Sequence, residues 1–296
     1  MILTESFLIL LPLILLVVGG YFFSRIFSIS EDTLVRCVTD FFMPLLVFHA
    51  LVTSDINLTD TLKIGAAASF IVLSLLVLSA LYCRWFRLDF KAFAPPIIFM
   101  NSGFLGIPLM ELWGGFTAMN LTVIYDQVQN FYIFTIGIII VSAGFSLKGL
   151  LEMVKSPLLW AIVLGFGGKY LGVPIPSPLL RAIHYCGAGA PALATFALGC
   201  SLTRHGLKPD RHLAAGLVLR FVFGFTAGLI AVFLLDIAGT ARTVVLVASS
   251  LPSAVFSVVL PLRYGVNSTF AAGMVLLSTA LGVLTIPLAI YLSSIL

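Results

Sequence analysis

Apolar residues run along this chain in windows of about twenty, which short polar loops separate. Because an α-helix rises about 1.5 Å per residue, each window can cross a hydrocarbon core of roughly 30 Å. The pattern therefore predicts an all-α polytopic membrane protein with ten transmembrane helices, at residues 5–23, 34–52, 64–82, 92–112, 119–143, 156–172, 178–202, 213–235, 243–263 and 270–294.

Two of these windows are interrupted near their centres. Residues 91–113 hold the fourth window and residues 243–264 the ninth, and each carries Ser and Pro, with Asn and Gly in the fourth, between apolar ends. Pro and Gly at mid-span free backbone N–H and C=O groups where lipid offers no partner, so such breaks persist only inside protein or beside a cavity. Matched breaks in the two halves of a chain predict the binding site of a secondary transporter.

The two halves of the chain resemble each other. Residues 40–51 in the second window and residues 187–198 in the seventh share a pattern in which Pro44 aligns with Pro191. The repeats are predicted to occupy residues 1–150 and 151–296. Because each holds an odd number of spans, five, the second inserts the other way up, which gives a 5+5 inverted repeat.

Composition and charge narrow the class of protein. The chain is 60% hydrophobic and 9% charged, whereas soluble domains carry about 25% charged residues. Its net charge of +4 lies in short loops, which does not indicate nucleic-acid binding. Ten basic residues on one side against four on the other place both termini outside the cytoplasm of a multi-pass protein in the cytoplasmic (inner) membrane. The ten are Arg25, Arg84, Arg87, Lys91, Lys148, Lys155, Arg204, Lys208, Arg211 and Arg263, and the four are Lys63, Lys169, Arg181 and Arg242.

Catalytic and metal-binding patterns do not emerge from the sequence. The four cysteines lack metal-ligand spacing, and no Gly-x-Ser-x-Gly, His-Glu-x-x-His or phosphate-loop string occurs. We expect no enzyme activity, no cofactor and no metal site. Two alternatives to a transporter stay open: a non-transporting sensor on a transporter fold, and an intramembrane hydrolase, for which Tyr125-Asp126 is the weak signal.

Three strings carry a resemblance to a known family. They are MPLLVFHAL at residues 43–51, NSGFLGIPL at 101–109 and LPSAVFSVVLPLRYGV at 251–266. The chain resembles the auxin efflux carrier family, which includes plant PIN-type auxin exporters and bacterial malonate- and malate-type carriers. The resemblance implies a scaffold of spans 1, 2, 6 and 7, a transport domain of spans 3–5 and 8–10 that moves against it, and a crossing of spans 4 and 9 at the substrate site. It also implies a homodimer through the scaffold, where Gly187, Gly189 and Ala190 have helix-packing spacing.

The chemistry of two broken helices suits an anion. Each break exposes the N-terminus of a half-helix, with roughly half a positive charge and several unpaired amides, here around residues 102–106 and 253–256. Packing of small residues with simple kinks is the alternative interpretation. The predicted substrate-binding residues are Asn101, Ser102, Gly103, Gly106, Pro108, Ser250, Pro252 and Ser253. The expected substrate is a small organic anion: a mono- or dicarboxylate or an auxin-like acid.

Ionisable and polar residues inside the spans are candidates for ion coupling, because they are expensive in a membrane. Asp126, Gln127 and Asn130 make the fifth span the most polar, and protons or sodium are the candidate coupling ions. An outer vestibule open to water, or a structural hydrogen-bond cluster, is the alternative interpretation of this group. His49 is a further candidate for the polar network, although a packed neutral histidine is favoured. Arg220 is expected to snorkel to the cytoplasmic surface or to attract substrate anions.

Overall fold

The computed structural model describes residues 2–53, 58–142, 154–155, 157–203 and 211–296. Within these ranges the regular structure is helical. The helices are α1 Ile2–Ile26, α2 Glu31–Arg36, α3 Met43–Thr53, α4 Leu58–Phe86, α5 Phe90–Phe93, α6 Pro95–Ile98, α7 Ile107–Tyr132, α8 Ile138–Ser142, α9 Pro157–Tyr170, α10 Ser177–Gly187, α11 Ala190–Leu202, α12 Leu213–Val218, α13 Gly224–Leu234, α14 Gly239–Ser249, α15 Phe256–Arg263 and α16 Thr269–Ile295. Four π-helical turns join some of them, at Cys37–Phe42, Ser102–Gly106, Ile133–Gly137 and Leu219–Phe223.

Among the described residues, five helical stretches are long and apolar enough to cross a membrane. They are Thr33–Thr53, Thr59–Phe86, Ser102–Val141, Leu213–Leu234 and Thr269–Ile295, and a shorter apolar helix covers Leu10–Ile26. The class of polytopic helical membrane protein is thereby confirmed, while the count of ten spans stays a prediction. Of the residues that set the predicted orientation, Lys148, Arg204 and Lys208 lie outside the described residues.

The long helical stretch that begins at Ser102 folds back on itself. As one straight helix its 40 residues would measure about 60 Å, twice the thickness of a bilayer core. Gly114 and Gly115 leave helical geometry, and Gly115 has a φ of 64°, which favours glycine. Ser102 Oγ then lies 2.7 Å from Asp126 Oδ1, although 24 residues separate the two. The segment is therefore a helical hairpin.

The second half of the chain repeats this order of elements. Helix α15 follows an interruption, Gly265 has a φ of 71°, and the long helix α16 runs back. The Ser253 amide donates to Ser278 Oγ at 3.0 Å, across a separation of 25 residues. Both interruptions are thus bonded to the long helix that follows them.

Small residues allow α11 to approach α1, and α10 to approach α3, closely. A Cβ on Gly199 would overlap the carbonyl oxygen of Val17, and a Cβ on Gly187 would lie 2.6 Å from the Leu46 amide nitrogen. Ala190 is fully buried among residues of α3. Gly187 and Ala190 therefore serve packing within the chain, so their small size is not evidence for a dimer interface.

Candidate functional site: the crossing of two helix breaks

The two interruptions touch each other. The first break, residues 99–101, lies between α6 and the π-turn Ser102–Gly106, and the second break, residues 250–255, lies between α14 and α15. Met100 and Ser253 form an antiparallel bridge. The Asn101 amide donates to Pro252 O at 2.8 Å, and the Ala254 amide donates to Phe99 O at 2.9 Å. Each break thus supplies hydrogen-bond partners that the other lost when its helix stopped.

The first break is shorter than the sequence indicated. Only residues 99–101 leave the helix, and Ser102–Gly106, where the sequence placed the exposed end of the half-helix, forms a π-turn. Gly106 packs directly on the second break, because a Cβ there would lie 2.7 Å from Leu251 Cδ1. Pro108 is buried in the first turn of α7, and Pro252 is buried at the bridge.

The predicted serine donors of the second break are already engaged. Ser250 Oγ donates to Leu246 O at 2.9 Å, and Ser253 Oγ donates to Pro96 O at 2.5 Å. The amides of Ser253 and Ala254 are bonded to Ser278 Oγ and Phe99 O. In this conformation nearby carbonyls and a hydroxyl already accept hydrogen bonds from these donors, and their role in substrate binding stays a prediction.

The first break keeps its donors open. Asn101 is 2% exposed, and its buried Nδ2 has no hydrogen-bond partner. The backbone amides of Ser102, Gly103 and Phe104 also find no acceptor among the described residues. These three amides lie in the first turn of a helix that continues to Trp113, so the positive end of the helix dipole strengthens them as hydrogen-bond donors. Asn101 and Ser102 are buried, and Gly103 and Phe104 are half-buried. Unpaired donors away from water are costly, and four along one short segment indicate a place for an acceptor ligand.

A buried carboxylate lies beside these donors. Asp126 is 4% exposed and accepts hydrogen bonds from Ser102 Oγ at 2.7 Å, Asn130 Nδ2 at 2.9 Å and Gln127 Nε2 at 3.3 Å. A Cβ on Gly103 would lie 3.3 Å from Asp126 Oδ1, so the absence of a side chain there gives the carboxylate room close to the helix. The structure brings Asp126, Gln127, Asn130, Ser102 and Gly103 together. A vestibule open to water does not fit this burial.

Gln129 belongs to the same site, although the sequence analysis did not select it. Its Nε2 donates to Met100 O at 2.6 Å and to Ser102 Oγ at 3.0 Å, and its Oε1 accepts from the Met100 amide at 2.9 Å. Gln129 therefore fixes the first break to the fifth predicted span. Its position three residues after Asp126, on the same helix face, was the signal in the sequence.

His49 lies apart from the polar network. Its ring centroid is 4.6 Å from that of His184 and 6.4 Å from that of Phe116, and its Nδ1 is buried without a partner. The structure thus places His49 in a contact between α3 and α10 and not beside Asp126.

Arg220 does not snorkel to the surface. It is fully buried, and all three of its hydrogen bonds end on backbone carbonyls, those of Leu251, Ile97 and Ser249. The prediction failed because a sequence does not reveal which carbonyls a broken helix will leave near a long side chain.

Comparisons with known proteins place the chain among membrane transporters. A family model described as membrane transport protein matches residues 6–148 and 142–290. An uncharacterized transporter of Methanothermobacter thermautotrophicus is 27% identical over 298 residues, which cover 96% of each chain. An uncharacterized transporter of Methanocaldococcus jannaschii is 26% identical, over 95% of this chain and 96% of its own. One of Escherichia coli is 24% identical over 96% of each chain.

Proposed function

We propose that this protein is a secondary active transporter that moves a small organic anion by alternating access. The premise is that the chain belongs to the membrane transport protein family of the auxin efflux carriers. The substrate class is a mono- or dicarboxylate or an auxin-like acid. The protein carries out this transport from a site at the crossing of the two breaks.

One observation carries the choice of an anion. At the crossing, the open groups are donors: Asn101 Nδ2 and the three amides of residues 102–104. A carboxylate accepts several hydrogen bonds at once and is stabilised by the N-terminal end of a helix. A cation would meet the wrong end of that dipole. The site therefore favours the carboxylate of a small acid.

Asp126 gives the site a coupling group. Its carboxylate contacts the same helix turn that offers the open amides, and its side-chain partners Ser102, Gln127 and Asn130 are uncharged. A substrate anion that binds there is repelled by ionised Asp126 and not by the protonated acid. We therefore propose that a proton enters with each substrate anion, so that binding strengthens as the pH falls.

The same proposal includes the larger architecture. Two sets of five spans form an inverted repeat, with broken helices 4 and 9, and the repeated order of break, half-helix, glycine turn and long helix supports it. The scaffold comprises spans 1, 2, 6 and 7, and the transport domain moves against it as an elevator. Both termini lie on the extracytoplasmic side of the cytoplasmic membrane. The scaffold forms a homodimer, which the family resemblance supports.

Exchange of labelled acids across a liposome membrane tests this function. Purified protein is reconstituted into liposomes loaded with one unlabelled mono- or dicarboxylate, and uptake of the same labelled acid is followed. We expect counterflow of at least one carboxylate above that of protein-free liposomes, and none of matched amines or neutral amides. Counterflow of an amine, or of no acid in a panel that includes indole-ring acids, would contradict the proposal.

A further inference from the structure

Arg220 is a buried cation bound to backbone oxygens. It lies in the π-turn Leu219–Phe223 between α12 and α13, and among the described residues it is the largest side chain that is fully buried. Its Nε donates to Leu251 O at 3.0 Å, its Nη1 to Ile97 O at 2.9 Å and its Nη2 to Ser249 O at 2.6 Å. None of these partners is a carboxylate. The charge is therefore held by peptide dipoles.

These three carbonyls lie at the ends of the two half-helices that precede the breaks. Ile97 is in the last turn of α6, Ser249 is the last residue of α14, and Leu251 follows in the second break. The last carbonyls of a helix lack internal partners and carry roughly half a negative charge. In transporters with broken helices, such ends and unwound carbonyls are where coupling cations bind. In this protein a side chain occupies that place at both breaks at once.

Other carbonyls at the crossing are occupied as well. Pro96 O accepts from Ser253 Oγ, Phe99 O from the Ala254 amide, and Met100 O from Gln129 Nε2. Pro252 O accepts from the Asn101 amide. In the part of the chain that the structure describes, no cluster of three or more His, Cys, Asp or Glu side chains could hold a metal ion in their stead.

The neighbouring helix is shaped to admit the guanidinium. Gly224 lies one turn after Arg220, and a Cβ there would be 2.7 Å from Ser249 O and 3.3 Å from Arg220 Nη2. Any larger residue at this position would compete with the Arg220–Ser249 hydrogen bond. Glycine therefore leaves the space through which the side chain reaches both breaks.

We propose that Arg220 is a tethered cation that takes the place of a diffusible coupling cation at the crossing. It is a positioning residue: it neutralises the negative ends of two half-helices, joins the two breaks, and leaves the positive end of the first break to face the substrate. Transport is consequently independent of sodium and potassium. This inference rests on the proposed function in one respect, that the substrate is an anion.

Chemical rescue of a truncated side chain tests the proposal. In Arg220→Ala the loss of hydrogen bonds from a charged group is expected to slow carboxylate exchange about tenfold to a hundredfold. Millimolar guanidinium on both sides of the membrane should restore part of the exchange and raise the unfolding temperature of this variant. Arg220→Lys keeps the charge but cannot span three carbonyls, so we expect an intermediate rate. Arg84→Ala removes an exposed arginine from α4, and guanidinium should not change its behaviour.

Two results would overturn the tethered cation. One is a folded Arg220→Ala protein whose exchange and unfolding temperature do not respond to guanidinium. The other is wild-type exchange that stops when choline replaces sodium and potassium, and this measurement decides the matter if Arg220→Ala cannot be purified. The unfolding measurement needs no substrate. A wild-type protein that exchanges no acid therefore contradicts the proposed function while the rescue still tests Arg220.

Discussion

The first and second breaks arise from similar sequence signals. They differ in which of their hydrogen-bond donors have no partner within the protein. The donors of the second break are hydrogen-bonded within the protein. The hydroxyls of Ser250 and Ser253 donate to carbonyls, and the Ser253 amide donates to Ser278 Oγ. The first break leaves Asn101 Nδ2 and three amides open. In the proposed repeat, the second break therefore holds the crossing together, and we propose that the first break forms the ligand site.

The residue on the following long helix to which each break is bonded differs in the same sense. Ser102 meets Asp126, an ionisable group, whereas Ser253 meets Ser278, a neutral hydroxyl. Both contacts fix the break to its helical hairpin, but only the first can change charge. The comparison teaches that a repeat can keep the geometry of a site twice while placing its chemistry in one copy.

The largest expected effect comes from exchanging a donor at each break for alanine. Asn101→Ala removes a hydrogen bond to a charged ligand, worth roughly 1.5–3 kcal/mol, so the apparent affinity for the carboxylate falls about tenfold to a hundredfold. Its unfolding temperature stays unchanged or rises, because the free protein loses an unpaired buried donor. Ser250→Ala is the matched control and should keep its affinity. Equal affinity losses in the two variants, measured by counterflow at sub-saturating substrate, would contradict the assignment of the ligand site to the first break alone.

The next effect concerns protons. With one proton bound per anion, the apparent affinity of the wild type can change by up to about tenfold per pH unit, strengthening as the pH falls. Asp126→Asn should make the affinity independent of pH and abolish accumulation driven by a pH gradient, while exchange persists. Asp89→Asn removes a charge from an exposed helix cap and preserves the cap, so it should leave the pH profile unchanged. An Asp126→Asn protein that still accumulates substrate along a pH gradient would rule out this coupling site.

The contact between the breaks can be tested through two glycines. Gly106→Ala overpacks Leu251 of the second break, which is fully buried, and should lower the free energy of unfolding by about 1–3 kcal/mol. A Cβ on Gly282 would lie 3.5 Å from Pro252 Cγ, which is an ordinary contact. Gly282→Ala should therefore raise the free energy of unfolding by about 0.5–1 kcal/mol. Adding Leu251→Val should recover part of the Gly106→Ala loss in a double-mutant cycle. Independent, additive effects of Gly106→Ala and Leu251→Val would show that the two residues do not touch.

The smallest expected effect is structural. Ser253→Ala leaves Pro96 O without its donor and should lower stability by about 0.5–1.5 kcal/mol, with the KM for the carboxylate unchanged. Ser294→Ala removes a hydroxyl from an exposed position near the end of α16 and should have little effect on either quantity. A raised KM in Ser253→Ala at unchanged stability would place this serine in the ligand site.

The sequence predicted the class of the fold well because membrane burial leaves a coarse signal. Apolar windows, mid-span Pro and Gly, and the strings at residues 43–51 and 101–109 were sufficient for the polytopic class and the family. The pairing of Asp126 with Asn130 was also predictable from the sequence, because residues four apart share a helix face.

The division of roles between the breaks was not predictable in this way. Whether a serine faces a ligand or a carbonyl depends on contacts as distant as Ser253 with Pro96, which are separated by 157 residues. Arg220 is the clearest case, because its three acceptors come from two helices far along the chain from each other. These carbonyls come together around Arg220 only when both helices are broken and cross each other.

Hydrogen–deuterium exchange of the two breaks tests the central claim most directly. The protein in nanodiscs is compared with and without a saturating concentration of the acid that shows the fastest counterflow. We predict that the ligand slows exchange of the amides of residues 102–104 in wild type and does so far less in Asn101→Ala, while the amides of residues 253–254 change little because they are already bonded. Protection confined to residues 253–254, with none at 102–104, would contradict the assignment of the ligand site to the first break.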